Sequence, residues 1–325
     1  MRPAPRRLPV SGPVVSVLML AWEHGAFIAQ AIESVLAQDF EEGFELLIGE
    51  DASGDDTLAI SETYQARYPE LIQVLPAASN SGMHANFKRL WHAARGDYIA
   101  FCEGDDYWSD TAKLSKQTRF LEQNPDCTMC GTFTRKIAQG TSGEWEFAGE
   151  VRPRVLQAKY SFSDLIGGYH FHFSSVMIRS AVVEFPDWFE TVYCVDRPLY
   201  LLAAAKGSAG LLPEFTSVYR LHSGGSWSPN SMASKARHST DLFLKMRDNF
   251  PPRYRTRFEA SLGAILWSYM AEDLAAGRRS SARQIFWQSL RFTPLRQVAA
   301  NLPNRVKVAL RLYMPLIGSP RQESE

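Results

Sequence analysis

Three carboxylates fall within four residues at Glu103-Gly104-Asp105-Asp106, directly after the apolar run Tyr98-Ile99-Ala100-Phe101-Cys102. Crowded carboxylates repel one another, and such a cluster calls for a cation or another positive group. A second acidic pair, Glu50-Asp51, follows another apolar run, Phe44 to Gly49. Acids that end buried parallel strands lie on the rim where open α/β folds bind their ligands. The competing reading is a solvated acidic turn. The strand before the cluster and the bulky Tyr107-Trp108 after it argue instead for a lined pocket. Neither a Gly-x-Gly-x-x-Gly turn nor a P-loop occurs, so a phosphate ligand would need another partner, and a divalent cation is the obvious candidate. His170 and His172 lie two apart and would face one way on a strand. A two-His metal site, a place lining an acceptor cleft, and plain packing are all open to them. Trp108 and Trp227 could stack on a sugar or a base, or belong to the core.

The elements that must position these residues follow from periodicity. Val14 to Leu20 reads as a first strand, and Phe27, Ile28, Ala31, Ile32, Val35 and Leu36 recur at helix spacing. A second strand covers Phe44 to Gly49, and Ser53 to Thr57 turns with capping residues into a helix through about Tyr68. Leu71 to Leu75 is a third strand. Asn80-Ser81-Gly82 opens a helix through Ala94, and Gly96 turns into the strand before the acidic cluster. This β-α-β-α-β-α-β order predicts a parallel sheet with helices on both faces. Beyond it, the pattern predicts a helix over 109–124, a strand over 126–137, a strand over 171–178, a helix over 196–205 and a strand over 210–220. His222-Ser-Gly-Gly-Ser-Trp227 reads as a mobile loop, and only helices follow: 231–249, 254–276, 280–291 and 295–313.

The chain has 325 residues, 45% hydrophobic and 22% charged, with a formal net charge of zero, which is ordinary for a globular protein with a large core. The charge is uneven. From Arg278 to Arg321 there are nine basic residues and no Asp or Glu, which reads as a surface for anionic lipid or an acidic partner, or as a solvated face. Four cysteines, two of them in Cys127-Thr-Met-Cys130, lack a second pair for a zinc site and read as buried thiols in a reducing compartment. The start is basic and proline-rich, with no secretory pattern, and Val14 to Trp22 is too short to span a bilayer.

Taken together, the stretches resemble a family 2 glycosyltransferase of the GT-A fold. They are Val14 to Gln38, Glu50-Asp51-x-Ser53-x-Asp55-Asp56-Thr57, Asn80-x-Gly82, and Gly96-Asp97-Tyr98-Ile99 leading into Glu103-Gly104-Asp105-Asp106-Tyr107-Trp108. Asp196-x-Pro198-Leu199 and Tyr219-Arg220-x-His222-x-Gly224-Gly225-Ser226 complete the ordered set, which covers roughly residues 14–230. The resemblance implies a mainly parallel, Rossmann-like sheet flanked by helices over 14–230, after a loose leader at 1–13. The helical extension over 231–325 lies outside it.

The resemblance also implies roles. Asp51 would bond the base of a nucleotide donor, Glu103 would face the ribose or a metal-bound water, and Trp22, Asn80 and Trp108 would line the donor site. Asp105, with Asp106 beside it and His222 as the third contact, would hold Mn2+ or Mg2+ at the diphosphate. Asp196 resembles the catalytic base of inverting members, and His172 and Trp227 would serve the acceptor or a lid hinged at Gly224-Gly225. Two departures stand out. Ala21-Trp22-Glu23 replaces the usual Thr-Tyr-Asn end of the first strand, and Glu103 replaces the commoner Asp. The expected activity is inverting sugar transfer from a nucleotide-diphosphate sugar to a glycan or lipid-linked acceptor, in cell-surface polysaccharide assembly. The expected place is cytoplasmic, with the 278–321 tail on a membrane face or in a homodimer; nucleic acid is not an expected partner. The rivals are a nucleotidyltransferase, which would want a Gly-rich basic loop where Trp22-Glu23-His24-Gly25 stands, and a catalytically silent nucleotide-sugar-binding or scaffolding protein.

Overall fold

The structure is a computed structural model that describes residues 12–293, apart from 141, 169 and 226–229, together with 308 and 312. The first half alternates as the periodicity predicts: β1 (Val15–Ala21), α1 (Ile28–Leu36), β2 (Phe44–Glu50), α2 (Thr57–Arg67), β3 (Ile72–Pro76), α3 (Met83–Ala93) and β4 (Tyr98–Phe101). β1 and β2 are buried at every residue, as strands covered on both faces must be. β1 runs parallel to β2 from Val15 opposite Phe44 to Ala21 opposite Glu50, and parallel to β4 on its other side. α1 turns Ile28, Ala31, Ile32 and Val35 into the core, the spacing of a single helix face.

The chain continues through β5 (Tyr107–Trp108), α4 (Lys113–Gln123), β6 (Cys127–Gln139), β7 (Trp145–Val151), β8 (Lys159–Tyr160), α5 (Phe162–Ile166), β9 (Val176–Arg179), α6 (Asp196–Ala204) and β10 (Ser208–Leu221). One ten-stranded sheet results, in the order β3-β2-β1-β4-β9-β6-β10-β5, with β7 on β6 and β8 on β10. β9 is antiparallel to both β4 and β6, so the parallel half gives way to a mixed half at that strand. Register shifts near Phe215 bend β10 and carry its end toward the acidic rim.

Three expectations about elements change. The strand expected over 171–178 begins only at Val176, because Phe173–Ser175 forms a tight turn. Its backbone is held by the His172 side chain and by Ser175 Oγ donating to the His172 carbonyl at 2.7 Å, local bonds that compete with a ladder. The helix expected from 109 starts at Lys113, since Trp108 pairs with β10 and Ser109 N–H donates to the Thr216 carbonyl. β7 has no counterpart in the sequence reading: its residues are mostly exposed and carry no clear alternation.

The chain divides into two compact units, Met1–Pro229 and Asn230–Glu325. The second contains α7 (Met232–Asn249), α8 (Arg255–Ala275) and α9 (Arg279–Phe292). Ser231 caps α7 by accepting from Ser234 N–H, and Gly277 in the left-handed region follows α8. Phe243, Phe258, Leu262, Leu266, Met270 and Phe286 are buried along these helices. The helix expected over 295–313 lies outside the described residues apart from Val308 and Leu312. Among the described residues no helix is long and apolar enough to cross a membrane.

Candidate active site

The rim at the ends of β1, β2 and β4 has two walls. On the first, Glu50 accepts from Ser53 N–H (2.7 Å) and Ala52 N–H (3.2 Å), building the turn in which Ala52 has φ 58°. Asp51, 3% exposed, accepts from Ser81 N–H (2.9 Å), Ser81 Oγ (2.7 Å) and Gly82 N–H (2.8 Å). Its carboxylate therefore holds the Asn80-Ser81-Gly82 loop, where Gly82 has φ +83° and Asn80 is exposed. The loop after β1 is stitched to the same wall. Glu23, itself at φ 56°, donates its N–H to Ser53 Oγ (3.0 Å) and accepts from Gly54 N–H (2.6 Å). His24 N–H donates to Thr57 Oγ1 (2.8 Å) and Gly25 N–H to Asp55 Oδ2 (2.7 Å). A Cβ at Gly25 would stand 2.8 Å from that oxygen, so a larger residue there would have to displace the Asp55 carboxylate. Trp22 stands 50% exposed at the edge.

The second wall is the acidic cluster. Asp51 N–H donates to the Ala21 carbonyl and Gly104 N–H to the Leu20 carbonyl, both at 3.0 Å. Asp51 and the cluster thus leave one sheet edge on either side of β1, roughly 10 Å apart at two strand spacings. Gly104 is required: a Cβ there would lie 2.7 Å from His24 Nδ1. Asp105 Oδ2 lies 3.1 Å from His222 Nε2 and 3.7 Å from His24 Nε2. Burial alone would raise its pKa, but the two imidazoles outweigh burial and hold it at about 2. Asp106 turns inward and is fully buried. It accepts from Ser174 Oγ (2.9 Å) and Arg220 N–H (3.1 Å), with His172 Nδ1 at 3.5 Å. Burial, then Asp105, push its pKa well up; burial and the neighbouring Asp105, Asp106 and Asp196 do the same to Glu103. The 4%-exposed Arg220 donates Nη1 to the Asp105 carbonyl at 2.7 Å and lies over the Tyr107 ring.

Asp196 is the first residue of α6 and accepts from Arg197 N–H at 2.7 Å. His172 stacks on Tyr219 at 4.3 Å, and burial lowers its pKa to about 4 against the pull of Asp196 and Asp105. Asp105, Asp196, His172 and His222 therefore belong to one end of the sheet, reached by β4, β9, α6 and β10. The two aspartates of the cluster face different partners: Asp105 meets His222, whereas Asp106 meets His172. Two sets of donor atoms suit a divalent cation. Asp105 and His222 offer a hard oxygen and an imidazole in contact, and ligand atoms of Glu103, Asp106 and His172 lie within 4.8 Å of one another.

Other expectations are corrected. Trp108 is 4% exposed, donates Nε1 to the carbonyls of Phe101 (3.2 Å) and Ser174 (2.9 Å), and carries Lys113 Nζ 4.4 Å above its ring, so it is core and does not line the donor site. His170 stacks on Tyr160 at 5.0 Å and bonds the Asp164 carbonyl at 2.9 Å, apart from His172's partners. The pair therefore makes no two-His metal site, because the strand that would align them starts later. Trp227 lies outside the described residues. The sequence reading assigned no role to His24, Ser174 or Arg220. His24 and Arg220 lay inside quoted stretches, but nothing in their spacing showed that both reach Asp105.

Known proteins resemble this chain in sequence and in fold. The sequence model described as glycosyl transferase family 2 matches residues 16–185. An uncharacterised protein of Mycobacterium tuberculosis, Rv1520, is 35% identical over 213 residues, 66% of this chain and 60% of that protein. The aligned part thus spans less than two thirds of the relative's length. EpsE of Bacillus subtilis, named as a glycosyltransferase, is 38% identical over 122 residues, 38% of this chain and 43% of EpsE. Staphylococcus aureus TarS 1–349 in complex with UDP-GlcNAc superposes with a TM-score of 0.62 at 15% identity, covering 91% of this chain and 87% of that one. The mannosyltransferase PcManGT of Pyrobaculum calidifontis, in complex with GDP-Man and Mn2+, gives 0.59 at 17%, covering 94% and 86%. At such identities the likeness is one of fold.

Proposed function

This chain belongs to glycosyl transferase family 2, and from that premise we propose that it moves a sugar from a nucleoside-diphosphate sugar to an acceptor hydroxyl with inversion, using a divalent cation. The observation that carries the proposal is the contact of Asp105 with His222 on the same rim as the Asp51 loop and Asp196. The Asn80–Gly82 loop held by Asp51 and the exposed Trp22 would receive the nucleoside, and Glu103 the ribose. Asp105 and His222 would hold the cation, Mn2+ or Mg2+, which supplies positive charge to the departing diphosphate. Arg220, donating to the Asp105 carbonyl, fixes where that carboxylate stands. An acceptor hydroxyl has too high a pKa to ionise beforehand, so Asp196 takes its proton as the new bond forms, worth about 10²–10⁴-fold in rate. One base on one face of the sugar gives a single displacement, hence inversion.

The test is to incubate the protein with Mn2+ and a panel of nucleotide sugars, UDP-GlcNAc and GDP-Man included, and to measure nucleoside diphosphate released with and without EDTA. Metal-dependent release is expected, with Asp196→Asn about 10²–10⁴-fold slower but still stabilised by donor. Donor binding without turnover in the wild type would leave a silent binding protein. Pyrophosphate made from a nucleoside triphosphate and a sugar phosphate would point to a nucleotidyltransferase.

A glycan or lipid-linked acceptor, a role in cell-surface polysaccharide assembly, and a place at the cytoplasmic membrane face belong to the same proposal. α9 supports the last with Arg279 and Arg291 and a Trp287 that is 59% exposed. Co-flotation with anionic liposomes at low salt is expected; none at all would remove the membrane contact.

A further inference from the structure

Asp106 is the acid of the turn that solvent does not reach: its side chain is 0% exposed, against 15% for that of Asp105. Its two oxygens go to different parts of the chain. Oδ2 accepts from Ser174 Oγ at 2.9 Å, and Oδ1 accepts from Arg220 N–H at 3.1 Å. Ser174 Oγ in turn accepts from Glu103 N–H at 3.2 Å. One buried hydroxyl therefore ties the backbone of the first acid to the carboxylate of the last. The segment that carries it is held by the core. The Ser174 carbonyl accepts from the Trp108 indole N–H at 2.9 Å, and the Ser175 carbonyl accepts from Gln117 Nε2 at 3.0 Å. Arg220 belongs to β10, and two residues on, His222 meets Asp105 Oδ2.

Asp105 and His222 are 117 positions apart, so nothing local sets the distance between them. The link Ser174–Asp106–Arg220 joins the turn that carries the one to the strand that leads to the other. Mg2+ in particular demands near-ideal geometry of its ligands, and groups behind the ligands are what hold them in place. A cation arriving from the rim meets Asp105, whereas both oxygens of Asp106 are engaged inside. We propose that Asp106 is not a cation ligand but a positioning residue, and that Ser174, acting through it, fixes the Asp105–His222 pair; this rests on the cation-dependent transferase reading above.

The experiment measures affinity for Mn2+ alone, by electron paramagnetic resonance of the free ion, in the wild type, Asp106→Asn, Asp106→Ala and Ser174→Ala. Circular dichroism checks that each is folded. Asparagine keeps both links, since its oxygen accepts from Arg220 N–H and its NH₂ donates to Ser174 Oγ. Alanine at 106 loses the same charge and both links, so the two variants together isolate the links. Asp106→Asn is expected to bind Mn2+ about tenfold or more tighter than Asp106→Ala. Ser174→Ala leaves the Asp106 carboxylate in place, yet its affinity is expected to fall about tenfold or more below the wild type. Equal affinity in the two Asp106 variants overturns the proposal, as does an unchanged affinity in Ser174→Ala. Should one alanine variant not fold, the other decides by the same criterion. If the wild type itself binds no Mn2+, the cation reading falls first, and the positioning role with it.

Discussion

The two walls of the rim use carboxylates in opposite ways. On the β1–β2 side, Glu50, Asp51, Asp55 and Glu23 each accept from backbone N–H groups of neighbouring loops. On the β4 side, Glu103 feels Asp105, Asp106 and Asp196, Asp106 feels Asp105, and burial together with this repulsion drives Glu103 and Asp106 toward the protonated form. Only Asp105 is balanced, by two imidazoles. The first wall is finished by folding, to the point of holding Glu23 and Ala52 at positive φ, a strain that persists only where the surroundings fix it. The second is a set of charges that folding leaves unsettled. Natural sequences break the rule of satisfied polar groups mainly where a ligand completes the set, so the contrast separates a scaffold for the nucleoside from a seat for reacting groups.

The largest effect that would break this contrast is at Asp105. Asp105→Asn keeps the size of the side chain but removes the charge that a cation needs. Turnover is expected to fall by about 10²-fold or more, with the rise in melting temperature on adding Mn2+ abolished. Circular dichroism without metal should match the wild type. A variant that retains both its activity and its Mn2+ response would show that the β4 wall is not where a cation acts.

The same contrast explains what the sequence could disclose. The parallel half was legible because β1, β2 and β4 are buried on both faces and read as largely apolar runs, two of which, β2 and β4, lead into acids. α1 was legible because its core positions recur at helix spacing. The pairing of Asp105 with His222 was expected from the resemblance alone, since 117 positions separate them and no local period links them. Trp108 misled because bulk beside an acidic turn suits a pocket wall and a core equally well; its two indole bonds decide for the core. His170 and His172 misled for a different reason: alternation predicts a shared face only if the strand forms, and the side chains of His172 and Ser175 took the backbone first.

The sharpest form of the contrast makes one chemical change at both walls. Asp51→Asn leaves a single acceptor oxygen and places an amide NH₂ against the Ser81 and Gly82 donors. A loss of about 1–3 kcal/mol is expected, read as a lower melting temperature in EDTA. Glu103→Gln removes a charge that burial, Asp105, Asp106 and Asp196 all disfavour, so its melting temperature in EDTA should hold or rise slightly. Donor affinity should fall in both, for different reasons: the first loosens the loop that shapes the nucleoside pocket, and the second removes a contact. Stability therefore separates them where binding does not. If both variants lost stability equally, the β4 wall would be as finished as the other, and its acids would be part of the scaffold.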